Sequence, residues 1–121
     1  MANTFKVVTF AAEPASAGTP YKMYTVAGST TTVVLGLILT NIHTTAVTVE
    51  VELVSDTGSR GGANNVTNGT SFLVKDVTIP AGSSLELLSG GNVVMETTDY
   101  LNIDCSVADK VSGTLSIMEI T

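Results

Sequence analysis

The two residue types that carry most nucleophilic and metal chemistry occur once each in these 121 residues, as His43 and Cys105. A serine nucleophile needs a base beside it, and neither a second histidine nor a Gly-x-Ser-x-Gly motif is present. His43 sits in Asn41-Ile-His-Thr-Thr45, a stretch that reads as an exposed turn. Cys105 alternates with Leu101 and Ile103, the pattern of a buried apolar thiol rather than a reactive one. Zinc takes three or four His or Cys ligands, more than this chain holds. Calcium needs several converging oxygens; Asp56 with the asparagines after it, or Asp99 with Asp104 and Asp109, supply some, but without an Asp-x-Asp-x-Asp-Gly pattern. Glu50 and Glu52 share a strand face that alternation places in solvent, where carboxylates keep a sheet soluble. No phosphate-cradling glycine motif occurs. The expectation is no catalytic residues, no cofactor and no metal.

Composition narrows the field further. Apolar residues make up 44% and charged residues only 13%, and the abundance of Thr, Val, Ser and Gly favours strands and turns. No apolar stripe of helical period is sustained. A formal net charge of −6 opposes phosphate backbones and anionic lipid, so neither nucleic acid nor membrane is expected as a partner. The longest apolar run, Val33 to Leu39, is too short for a membrane helix. A lone cysteine makes no internal disulfide, and the start Met1-Ala-Asn-Thr-Phe-Lys has no signal-peptide pattern, which points to synthesis in a reducing cytoplasm.

The elements that must position any site are therefore strands. Their spacing, with turn signals every eight to twelve residues, predicts a single all-β domain over 1–121 with essentially no helix. It is an antiparallel β-sandwich or jelly-roll-like barrel of eight to nine strands. Residues 1–20 carry one strand followed by a Pro/Gly-rich stretch and read as an N-terminal arm. Thr32–Ile42 is apolar on both sides, Val33, Leu35, Leu37 and Leu39 against Val34, Ile38 and Ile42, with Gly36 marking a bulge or close approach. Its second side, Val34, Ile38 and Ile42, together with Phe5 and Phe10 of the arm, is the expected interface with a neighbouring subunit. The next strand, Ala46–Val54, turns Val47, Val49, Val51 and Leu53 inward and is expected to form a hairpin with the one before it. Ser55–Ser71 is the longest irregular segment, and Arg60, Asn64, Asn65 and Asn68 are its candidate partner-contacting residues. Its two Asn-x-Thr matches read as chance in an Asn/Thr-rich loop.

From Phe72 the chain runs Phe-Leu-Val-Lys-Asp-Val-Thr-Ile-Pro-Ala-Gly-Ser-Ser-Leu-Glu-Leu-Leu88, then Asp99-Tyr-Leu-Asn-Ile and Ser-Gly-Thr-Leu-Ser-Ile-Met-Glu-Ile120. This series resembles a group of small virion proteins of tailed bacteriophages, with their Ile-Pro-Ala-Gly turn and closing Ser-x-x-Glu strand; it covers Val33–Ile120 loosely and the last fifty residues better. The resemblance implies a non-enzymatic structural protein of the virion. Foremost is a capsid decoration or cement protein that forms a homo-oligomer, expected to be a trimer, on the major capsid protein or another virion protein. A neck or tail component, or a receptor- or carbohydrate-binding module of a tail fibre, stays open beside it.

Overall fold

The computed structural model describes residues 2–55, 69–88 and 91–121, so Asp56, Arg60, Asn64, Asn65 and Asn68 lie outside the described residues. Nine strands follow one another: β1 (Asn3–Glu13), β2 (Tyr21–Thr25), β3 (Thr31–Asn41), β4 (Val47–Ser55), β5 (Gly69–Ile79), β6 (Ser84–Leu87), β7 (Val93–Met95), β8 (Tyr100–Cys105) and β9 (Val111–Ile120). No helix occurs among the described residues.

The strands form two antiparallel sheets. One has the order β1-β9-β3-β6, with β7 also on β3; the other has the order β2-β8-β4-β5. The pairs nest: β1 with β9, β2 with β8, β3 with β6 and β7, β4 with β5. A long antiparallel ribbon wound over itself gives this order, which is the jelly roll. β6 and β7 act as one interrupted strand, since β6 pairs with Leu37–Thr40 and β7 with Thr32–Val34.

The expected hairpin between β3 and β4 does not form, because the two strands belong to opposite sheets. Asn41 makes this corner. Its amide Nδ2 donates to the carbonyls of Thr45 and Ile79, both at 2.9 Å, and its Oδ1 accepts the His43 N–H at 2.7 Å. A side chain that fills the backbone's hydrogen-bonding needs lets the chain leave one sheet without orphaned polar groups.

The core lies between the sheets. Val47, Val49 and Val51 of β4 and Leu101, Ile103 and Cys105 of β8 face Leu37 and Leu39 of β3 and Leu115 and Ile117 of β9, all buried. The strict alternation expected of β3 fails at one place. The register with β9 shifts between Val34 and Gly36, so Leu35 is an extra residue and the inward set changes from Thr32 and Val34 to Leu37, Leu39 and Asn41. Val34, expected at a subunit interface, is therefore a core residue with 0% exposure. Phe10 is corrected in the same way: its ring is buried in edge-on contact with Tyr21, centroids 5.3 Å apart. The residues read as an arm lie against the body instead, with β1 paired to β9 from Asn3 to Phe10. A hydrogen-bond ladder of that length holds the strand more firmly than the Pro/Gly stretch after it suggests.

Candidate assembly surface

The register places the outward residues of the β1-β9-β3 sheet in rows that cross it. Phe5 is opposite Met118, Met118 opposite Val33, and Val33 opposite Val94, one apolar row over four strands. Beside it lie Val7, Leu35 and Ile38. Phe5 is 72% exposed, Val7 63% and Val94 61%, and Leu35 and Ile38 are also exposed, while Val33 and Met118 are half-buried by their neighbours. Ser, Thr, Gly and Asn supply most other outward positions, Ile120 adds an apolar one at the end of β9, and Glu86 is the one charge among the paired outward positions described. Four strands ~4.8 Å apart and about seven residues long make a face of roughly 450 Å², and the apolar row across it falls within the range of the largest patch on a monomer, which is often functional.

Of the interface residues expected from sequence, Phe5 and Ile38 lie on this face and Ile42 is exposed just past the end of β3; Val34 and Phe10 do not contribute. Val7, Val33, Val94 and Met118 escaped sequence reasoning. Each looks unremarkable within its own strand, and only the topology brings the four strands side by side. The one local signal is in β1, where Phe5 and Val7 alternate with Thr4 and Lys6 and so share one side of the strand.

A polar cluster joins this sheet to the other at one margin. The Tyr24 hydroxyl of β2 donates to Glu119 Oε2 at 2.6 Å and lies 2.8 Å from Thr32 Oγ1, which must donate to it. Lys6 Nζ is 2.6 Å from the other carboxylate oxygen, Oε1. Burial and the hydrogen bond to Glu119 push the Tyr24 hydroxyl up to about 12, and Lys6 followed by Tyr24 holds the Glu119 carboxyl below the usual carboxylate range. A raised folded value means stabilisation that is full below the ordinary value of 10.0 and lost as pH rises through about 12. A depressed one means stabilisation that is full above the ordinary carboxylate value and lost as pH falls through the folded value. An ultraviolet pH titration should therefore show a tyrosine step near pH 12, and Tyr24→Phe should remove that step while lowering the melting temperature.

The acidic groups form a separate feature. Ala17, Gly18, Thr48, Glu50, Asp76, Asp104, Cys105 and Ser106 line an open groove of about 230 Å³ on the β2-β8-β4-β5 sheet. Two of its carboxylates have structural work. Glu50 pairs with Lys75 at 3.1 Å, and Asp104 Oδ1 accepts the N–H groups of Gly18 at 3.1 Å and Cys105 at 2.8 Å. Hydrogen bonding to Glu50 raises the Lys75 ammonium above its ordinary value. Asp99 is buried and its Oδ2 accepts the Glu96 N–H at 3.0 Å. His43 is placed apart, in the β3–β4 corner, and Cys105 is buried. Among the described residues no group of three His, Cys, Asp or Glu side chains converges as metal ligands would.

No protein-family model and no curated protein matches the chain. Solved structures do. The chain is similar to the VP2 chain of the infectious bursal disease virus subviral particle, with a TM-score of 0.50 and 13% identity over 96% of this chain and 32% of that one. A chain of the infectious bursal disease virus Gx strain aligns with a TM-score of 0.48 and 16% identity over 95% of this chain and 33% of that one. A Bacillus endospore appendage protein, described as forming disulfide-linked pili, aligns with a TM-score of 0.47 and 16% identity over 99% of this chain and 87% of that one. The chain thus spans about a third of the length of the VP2 chain it matches, and that likeness bears on the fold, an all-β sandwich of two antiparallel sheets.

Proposed function

We propose that this chain is a non-enzymatic structural subunit of a virus particle, a capsid decoration protein of a tailed bacteriophage. It works by packing against copies of itself and against the major capsid protein or another virion protein. The observation that carries the reading is the outer face of the β1-β9-β3 sheet, where an in-register apolar row crosses four strands with one charge, Glu86, among the paired positions described. A flat face of that kind gives a sheet or another protein surface something to cover and gives a small polar substrate little to hold. The formal net charge of −6 suits the outside of a shell better than contact with packaged nucleic acid. The jelly roll shared with a virus capsid chain and the phage-like C-terminal half support the same reading.

The test is mass spectrometry of purified particles of the phage that encodes the chain, followed by rebinding of the full chain to particles lacking it. The chain should be a stoichiometric component, and Val94→Glu, which sets a charge in the apolar row, should abolish rebinding without changing the melting temperature. Absence from the particle would overturn the virion role. Normal rebinding of Val94→Glu would overturn the role of this face.

A further inference from the structure

The sheet edges of this sandwich end in different ways. β2 is five residues long, with a register shift between Lys22 and Tyr24 and the Lys22 ammonium 4.0 Å from the centre of the Tyr100 ring. β5 pairs with β4 through two shifts and carries Lys75 and Asp76 at one of them, Asp76 in the left-handed region at φ 52. The edge opposite β1 is broken into β6 and β7, with Leu88 at φ 65 after β6. Short strands, bulges and charges are the usual devices that keep a sheet edge from pairing with another chain. β1 has its one shift against β9, and its Glu13, only beyond Phe10, and none of these devices before it. It runs without a shift from Asn3 to Phe10, and its one charge over that length, Lys6, is engaged by Glu119.

Its ladder fixes which backbone groups are left over. Ala2 and Thr121 exchange both hydrogen bonds, each at 2.9 Å, and the register continues unbroken to Phe10 opposite Gly113. In an antiparallel pair such fully bonded positions recur at every second residue, so Thr4, Lys6, Val8 and Phe10 also bond to β9. The N–H and C=O groups of Asn3, Phe5, Val7 and Thr9 then point to the open edge, where no strand among the described residues pairs with them. Their side chains lie on the outer face, in the same rows as Val33 and Met118.

We propose that this edge pairs with β1 of a second copy, antiparallel about a two-fold axis at Val7, an inference that rests on the chain being a self-assembling subunit. The alignment follows from which residues are open. A centre at Val7 sets Val7 opposite Val7 and Phe5 opposite Thr9 of the second copy, and exchanges about six hydrogen bonds over these three pairs. It also sets Lys6 opposite Val8. A centre at Lys6 would set two lysines opposite each other, a repulsive pair, and a centre at Phe5 would leave Val8–Phe10 unpaired. A second copy is the occupant because it brings the same open alternation, no unpaired charge and the same apolar row, so the two outer faces run on as one. Such a contact is isologous and gives a dimer in solution in place of the trimer expected from sequence.

The test is sedimentation velocity of the full chain over a range of concentrations, with amide exchange read residue by residue. Mass should rise reversibly from one chain to two, and the amides of Phe5, Val7 and Thr9 should gain protection with concentration while those of Lys6 and Val8 are protected throughout. Val7→Pro removes an N–H without an intrachain partner at an edge position that accepts proline. Val7→Lys leaves the backbone intact and puts a charge on the axis. Both should weaken dimerisation about tenfold or more with the melting temperature of the monomer unchanged. A chain that stays monomeric at every concentration overturns the pairing, as does dimerisation untouched by both substitutions. An oligomer whose Phe5, Val7 and Thr9 amides exchange freely overturns it while preserving self-assembly, and a monomer that still rebinds to particles preserves the virion role.

Discussion

Asn41→Ala should lower the unfolding free energy by about 3 kcal/mol or more, from the loss of three hydrogen bonds whose backbone partners are left in or near the interior. The Asn41 side chain is fully buried, and its amide serves two crossings between the sheets at once. It holds Thr45 and His43 in the β3–β4 corner, and Ile79 at the end of β5, just before the turn into β6. Its own backbone N–H donates to Ser83 at 2.9 Å and its carbonyl accepts from Gly82 at 3.2 Å, so the second turn is docked on the same residue. Alanine removes the side-chain bonds and leaves a cavity. Thermal and urea unfolding measure the loss. For a domain of this size each kcal/mol is worth roughly 3–5 °C, so a melting point lowered by about 10 °C or more is expected. Thr44→Ala, on the exposed side of the same corner, should change stability by less than about 0.5 kcal/mol. An Asn41→Ala protein as stable as the parent would show that water or a shifted backbone replaces the side chain at no cost.

The corner also shows where sequence reasoning stops. The strands were readable because each writes its own alternation: Val47, Val49 and Val51, or Leu101, Ile103 and Cys105, name their buried side without reference to any partner. Pairing between strands is not local in that sense. Asn41-Ile-His-Thr-Thr45 has the length and composition of a hairpin turn, yet one buried amide makes it a crossing between sheets. Gly36 signalled a bulge in β3, but not that Leu35 is the extra residue, and a slip of one position sends Val34 to the core while leaving Ile38 outside. The outer apolar row was legible only in part for the same reason. Phe5 and Ile38 stand out in their own strands, whereas Val94 and Met118 acquire meaning from being in register with Val33.

That row and the open edge of β1 depend on β1 staying against β9, and besides the hydrogen-bond ladder one side-chain contact anchors it, Phe10 over Gly113. The Phe10 ring lies over Gly113 so closely that a Cβ built there would overlap the ring's Cε1 and Cζ atoms. Here glycine is required by the approach of a side chain, since Gly113 has no unusual backbone angle. Gly113→Val should drive the ring out of its place against Tyr21 and lower stability by about 3 kcal/mol, the sum of overpacking and lost aromatic burial. Phe10→Ala alone should cost a similar amount by opening a cavity. Combining them tests the mechanism, because the two changes compete for one space. If the ring is what valine displaces, the double variant should be more stable than the sum of the single losses by about 1–2 kcal/mol, the coupling seen between contacting residues. Additive losses would mean that valine at 113 acts on the β9 backbone instead. In Gly113→Val the amides of Lys6 and Val8 should also exchange faster than in the parent, since β1 loses its inward anchor while the rest of the sandwich keeps its core.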